Sequence, residues 1–188
     1  MPKTLDDLAW PRHTERLTLR KQEPADADAL WEIEGDAAQN RWTTRVYEDR
    51  AAFDADRGAR AASDLVAYWD GRFAGVLMVA QKDAWSQAEV SEQAKGQLVE
   101  LGWRVATWAQ GRGLATELAR EGLAIASEMG VHRVEASCFI ENAVSWRVME
   151  KVGMRRESHT VKESLHRDGT WHDGLTYAAL TEELRARS

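Results

Sequence analysis

Residues 97–129 constrain this chain more than any other stretch. QLVELGWRV is an apolar run of β-compatible residues, ATWA leads into the turn Gln110-Gly111-Arg112-Gly113, and TELAREGLAIASEM continues as a helix. Leu114, Leu118, Gly122, Ile125 and Met129 fall on one helical stripe, with Ala115, Ala119 and Ala126 beside it. A strand that enters a glycine turn and leaves as a helix can hold a phosphate. The glycines let backbone N–H groups converge, and the helix dipole adds partial positive charge there. Arg104 precedes the turn and Arg112 lies in it, and the nearest carboxylates on either side are Glu100 and Glu117, so the turn itself is locally basic in a chain whose formal charge is −6. A local anion site in an acidic chain suits a phosphorylated small molecule better than a polyanion.

A second block follows at residues 142–154, NAVSWRVMEKVGM. Asn142 is a good N-cap and places Ser145 at the third helical position. Gly153 followed by Met154 fits a left-handed helix stop with an apolar residue behind it. The spacing puts Asn142, Ser145, Trp146 and Met149 on one face and Val144, Val148 and Val152 on another. The valine face is expected to join the core.

Taken in order, Gln110-x-x-Gly113-x-Ala115 and the 142–154 block resemble the signatures of the GNAT superfamily of acyl-CoA-dependent N-acyltransferases. The second block, the opening Thr14–Arg20 segment and the closing Trp171–Tyr177 segment are similar to the branch that includes ribosomal-protein N-terminal acetyltransferases. The resemblance implies an α+β fold, with a mixed sheet of about six or seven strands flanked by about four helices. In that fold the strand before the glycine turn splays from its neighbour, and the acyl-CoA arm lies in the gap. Acetyl-CoA is the implied co-substrate. The cofactor positions carried over are Trp103, Arg104, Val105, Gln110, Gly111, Arg112, Gly113, Leu114, Ala115, Thr116, Asn142 and Ser145.

Composition narrows the class. At 188 residues, with 44% hydrophobic and 30% charged residues, the chain reads as one globular domain over 1–188, with an N-terminal extension over 1–14 and a C-terminal tail over 181–188. No apolar run is long enough for a transmembrane helix, and residues 1–10 lack a secretory core, so a cytoplasmic protein without membrane contact is expected. The single cysteine, Cys138, reads as a buried structural thiol in VEASCF. Scattered Lys and Arg argue against nucleic acid. His166 and His172 come nearest to a metal spacing with nothing nearby to complete it, so no metal is expected. Nine tryptophans exceed what such a core needs, which places some of them on a pocket or on a homodimer interface.

Elsewhere the patterns are plainer. Residues 17–21 alternate as a strand, Pro24 opens a helix ending near Gly35, and 48–63 reads as a second helix. Asp70-Gly71 turns a hairpin, 82–96 reads as a loop, and 161–165 with 175–180 form closing strands.

Acyl transfer to an amine needs a polarised carbonyl, a base for the amine and a proton for the leaving thiolate. No nucleophile elbow or Cys/His pairing is present, in keeping with direct transfer. Many relatives carry a tyrosine acid where this chain has Met149, which has no proton to donate. Ser145 is the substitute acid; the alternative is that it only closes the helix N-terminus. Glu100 is the first choice of base and Glu163 the second, either of which could be a plain solvated charge. Asp173 and Tyr177 read as structural or dimer residues. Trp31, Trp42, Tyr47 and Trp69 are the aromatics of the half where an acceptor binds. Two further readings stay open: an acyl-CoA sensor without activity, and a degraded dinucleotide site using Glu135.

Overall fold

A computed structural model describes residues 1–186, apart from the side chains of Ala59 and Arg60. Its frame is one eight-stranded sheet: β1 (Arg12–His13), β2 (Leu17–Lys21), β3 (Asp64–Trp69), β4 (Arg72–Lys82), β5 (Leu98–Val105), β6 (Arg133–Phe139), β7 (Arg155–Leu165) and β8 (Trp171–Leu180), in the order β1-β2-β3-β4-β5-β6-β8-β7. Six α-helices accompany it: α1 (Ala27–Glu34), α2 (Arg50–Arg60), α3 (Ser91–Ala94), α4 (Leu114–Met129), α5 (Ala143–Lys151) and α6 (Thr181–Arg185). The expected fold class holds, with a strand and two helices more than the sequence pattern suggested.

Pairing is antiparallel except between β5 and β6, which meet in parallel at Leu98↔Arg133, Val99↔Val134 and Glu100↔Glu135. The helix α4 makes that crossover. With one parallel pair among the described strands, the repeated βαβ units of a dinucleotide fold are absent, and that alternative falls.

Two apolar layers cover the two faces. On one, Leu77 and Leu101 of the sheet pack beneath Leu118, Ile125 and Met129 of α4. Gly122 lets the helix come close, since a Cβ there would lie 2.9 Å from both methyls of Leu101. On the other, Val66, Phe73 and Val76 meet Leu30 and Ile33 of α1 and Phe53 of α2. The expected extension and tail are not loose ends. Leu5 and Leu8 join the core under α4, and the Thr181 hydroxyl donates to the Val131 carbonyl. Residues 187 and 188 of the expected tail lie outside the described residues.

The helix starts follow their caps. Asp49 accepts from Ala52 N–H at 2.8 Å and Asn142 from Ser145 N–H at 3.3 Å. Gly153 takes φ +83° and Met154 N–H returns to Met149 O, as a left-handed stop should. One face was misread in part: Val148 and Val152 pack on the core as expected, but Val144 is exposed and Met149 is buried beside Val148. The 82–96 loop holds a short helical piece, and the closing strands run to eleven and ten residues.

Candidate active site

The geometry begins where the one parallel pair ends. Beyond Glu100 and Glu135 the strands β5 and β6 part, so residues 101–105 and 136–139 face each other across a gap with no ladder between them. Backbone groups on both lips are left for another partner. β5 runs out of this gap into the glycine turn. Gly111 has φ +73° and Gly113 has φ +82°, where a side chain is strained. Among the described residues, the N–H groups of Gly111, Arg112, Gly113, Leu114 and Ala115 have no acceptor in the chain. Five donors at the start of a sixteen-residue helix make an anion cradle.

The cradle is buttressed from behind. Glu117, in the first turn of α4, accepts from the Thr14 hydroxyl, the Arg16 N–H and the Arg16 guanidinium. Arg16 also donates to the Arg112 carbonyl at 2.7 Å, pinning the turn. Burial pushes the Glu117 carboxyl up, but these hydrogen bonds outweigh it and hold it below the ordinary range. Gln110 donates to Val105 O at 3.0 Å and closes the turn onto β5. Beside it Trp69 stacks on Trp108 with centroids 5.8 Å apart, under Arg112 on one ring and Arg72 on the other. Trp69 thus lies beside the glycine turn.

The far lip carries α5. Ser145 and the Trp146 N–H both bond to Cys138 on β6; burial nevertheless pushes that thiol up to about 11. Cys138 is therefore neutral near pH 7, as the structural reading of it requires. Asn142 and Ser145 come together here, over the gap. Trp103 and Val105 face the α4 layer, while Arg104 turns the opposite way. Its guanidinium pairs with buried Glu34 and lies 3.8 Å from Asp64, so its side chain is committed to the fold. Glu100 stands at the closed end of the gap on the face opposite α4, paired with Lys82. Glu163 sits apart, on a bulge of β7, accepting from Thr160 at 2.6 Å. Asp173 accepts from the Lys162 N–H and Tyr177 donates to Glu150, bonds internal to the fold.

An open cleft of ≈ 490 Å³ lies past the tip of β6, walled by Thr43, Thr44, Arg45, Val46, Phe139, Leu165, His166 and Arg167. Trp42 packs on Phe139, His166 and His172 at 5.6, 5.4 and 6.4 Å. The sequence pattern singled out Trp42, His166 and His172 but neither Phe139 nor their convergence, because the four come from three separate segments. It also left out Asp168: the hairpin turn brings ligand atoms of His166, Asp168 and His172 within 4.8 Å of one another, so the premise that nothing completes this pair does not hold.

The sequence profile of the acetyltransferase (GNAT) domain matches residues 16–155, which holds the gap, the cradle and α5. The chain belongs to the GNAT acetyltransferase family. A Bacillus subtilis relative described as an uncharacterized N-acetyltransferase, YnaD, is 41% identical over 85 residues; the match takes in 45% of this chain and spans about half, 49%, of that protein. Among solved structures, a GNAT-family acetyltransferase from Bacillus anthracis superposes with a TM-score of 0.75 at 28% identity, over 92% of this chain and 99% of that one. A Vibrio cholerae spermidine N-acetyltransferase in complex with CoA and spermine gives a TM-score of 0.74 at 17% identity, over 90% and 98%, a likeness of fold alone. As in the GNAT fold generally, the splayed pair and the glycine turn form one continuous feature here.

Proposed function

We propose that the chain is an acetyl-CoA-dependent N-acetyltransferase that passes an acetyl group directly to a primary amine. The observation that carries this is the gap between β5 and β6 ending on five unpaired N–H groups. A pyrophosphate fits the cradle of Gly111 to Thr116, with Gln110 and Arg112 at its rim. A pantetheine arm fits the open lips, bonding the backbone of Trp103, Arg104 and Val105 on one side and Asn142 on the other. Ser145 then lies beside the thioester sulfur as the acid for the leaving thiolate. Glu100 is the base, taking the amine proton through water, because its carboxylate already holds Lys82.

Two arginines and no carboxylate line the cleft beyond β6. That wall repels a polyamine and favours a neutral or anionic amine, such as a peptide N-terminus or an amino acid. This local chemistry outweighs the weak attraction for cations that the net charge alone would suggest. It also fits the likeness of residues 142–154 to the ribosomal-protein branch. The same reading carries a cytoplasmic setting and a homodimer on the outer hairpin, where Val161, Leu165 and Trp171 stand exposed; sedimentation equilibrium tests the latter.

The deciding experiment measures free thiol released from acetyl-CoA with a peptide N-terminus, an amino acid, spermidine or an aminoglycoside present. Release above background with the first two supports the reading. Acetyl-CoA binding by calorimetry without thiol release from any amine would mark the protein as a sensor instead.

A further inference from the structure

The turn between β7 and β8 gathers two histidines and an aspartate in an arrangement that the acyl-transfer reading does not use. Gly169, at φ +85°, lets the chain fold back so that His166 N–H reaches Thr170 O at 2.9 Å. His166 and His172 thereby come to lie with centroids 5.5 Å apart, and Asp168 sits between them.

The proton inventory of this cluster is unusual. His166 Nε2 lies 3.0 Å from the Arg41 carbonyl, which only accepts, so that nitrogen carries a proton. Its Nδ1 then faces Asp168 Oδ2 at 3.0 Å. The Asp168 N–H, 3.4 Å away, is too distant to satisfy that lone pair well. His172 repeats the pattern. Its Nδ1 is 2.8 Å from the Glu141 carboxylate and is protonated for the same reason. Its Nε2 meets the Thr170 hydroxyl at 2.6 Å, and that hydroxyl already donates to Asp168 Oδ1 at 2.6 Å. In neutral imidazoles the His166 Nδ1 lone pair would thus face a carboxylate oxygen, and that of His172 Nε2 would compete with Asp168 for the one Thr170 hydroxyl proton. Something positive belongs between them, and one cation shared by both rings supplies it.

We propose that His166 Nδ1, His172 Nε2 and the Asp168 carboxylate bind one zinc-class divalent ion. Two imidazoles and a carboxylate are a fitting donor set for zinc, and a small closure brings all three atoms to about 2.0–2.2 Å from a common centre. The remaining contacts are those that metal-bound histidines make: each outer N–H donates to a carbonyl or a carboxylate, here Arg41 O and Glu141, which fixes tautomer and ring direction. His166 is buried and also lines the cleft, so the ion sits in the acceptor wall. There it ties the hairpin tip to the 41–43 segment and to the start of α5, with a coordination position left over for water.

The test uses the full chain without a polyhistidine tag, stripped with a chelator and titrated with zinc in competition with a chromophoric chelator near neutral pH. One equivalent should bind, and cobalt(II) substitution should give visible d–d absorption of a low-coordinate site. His172→Gln and Asp168→Asn should each weaken binding more than Glu141→Gln does, and the last should lose about 10–100-fold. His13→Gln, on an exposed histidine far from the hairpin, should change nothing. Zinc should also raise the melting temperature of the wild type and not of His172→Gln, and the variant melts check that each is folded. No binding at micromolar zinc by a folded wild type, or binding unchanged in folded His172→Gln, would overturn the proposal. None of these readouts depends on acetyl transfer.

Discussion

The two ends of the site, the glycine turn and the cleft past β6, are built from different materials. On the cradle side the groups aimed outward are backbone N–H groups of residues 111–115, and side chains such as Glu117 and Arg16 stand behind them as supports. On the acceptor side, past the tip of β6, the cleft is lined by side chains: Phe139, His166, Arg45 and Arg167. Backbone donors are the same whatever residues carry them, so the first side reads a constant ligand. Side chains can be exchanged one at a time, so the second reads a variable one. The contrast makes Glu117 a support whose loss spreads, and the acceptor arginines parts whose loss stays local.

The largest expected effect breaks the support. Glu117→Ala leaves Arg16 and Thr14 without their acceptor and should cost about 3–5 kcal/mol in denaturant unfolding. Acetyl-CoA affinity should fall with it, because Arg16 no longer pins Arg112 O. Because the folded carboxyl is held low, its contribution is present above the unfolded carboxylate value and lost as pH falls through the folded one. The gap in stability between wild type and variant should therefore narrow below about pH 4. A gap that stays constant down to acid unfolding would mean that the charge is not what the buttress uses.

Next comes the chemistry at the join of the two sides. Ser145→Ala should lower kcat by about 10²-fold with acetyl-CoA binding nearly intact, since a proton is lost mainly in the transition state. If the serine only helps to close α5, turnover stays within about twofold and stability drops by about 1 kcal/mol. Gly113→Asp tests the cradle alone. A side chain at φ +82° is strained and its charge faces the phosphates, so calorimetry should show acetyl-CoA affinity reduced by at least about tenfold, or 1.4 kcal/mol. Unchanged affinity would remove the pyrophosphate from this turn.

The smallest effect belongs to the acceptor side. Arg45 pairs with Asp56 on the surface, the arginine side chain being 55% exposed, and Arg45→Ala should change stability by about 0.5 kcal/mol or less. What should move is selectivity: kcat/KM for spermidine should rise relative to that for an anionic amine. A large stability loss with no shift in selectivity would erase the contrast between the two sides.

The sequence made the cradle side legible for the same reason that it is constant. Strand, glycines at left-handed positions and a helix with one apolar stripe are all local signals, and the caps at Asn142 and Gly153 fell where short-range hydrogen bonding demands. The acceptor side was opaque because it is long-range. Trp42, Phe139, His166 and His172 meet through tertiary folding, and Glu141 reaches His172 from thirty-one residues away. Strand β7 lies at the sheet edge and is exposed along most of its length, so no alternation marked its eleven residues. Helix α5 misled because its nine residues hold too few turns to separate a Val144 stripe from a Met149 stripe. Arg104, placed by position on the strand, points away from the gap because residues alternate faces, and buried acids at Glu34 and Asp64 await it there.

The three-residue contact between β5 and β6 has a mechanical consequence. Five strands on one side and three on the other are each knitted by antiparallel ladders, yet only Leu98 to Glu100 stitches them together along the sheet. A few hydrogen bonds, each worth about 1 kcal/mol net, resist a change in the angle between the two plates. Helix α4, anchored at Lys3 N–H and Arg185 as well as on β5, acts as the strap across this soft joint. Width at the mouth is therefore a compliant coordinate while each plate stays stiff. A wedge seated between the lips would act like a splint, slowing amide exchange at 101–105 and 136–139 more than anywhere inside either plate.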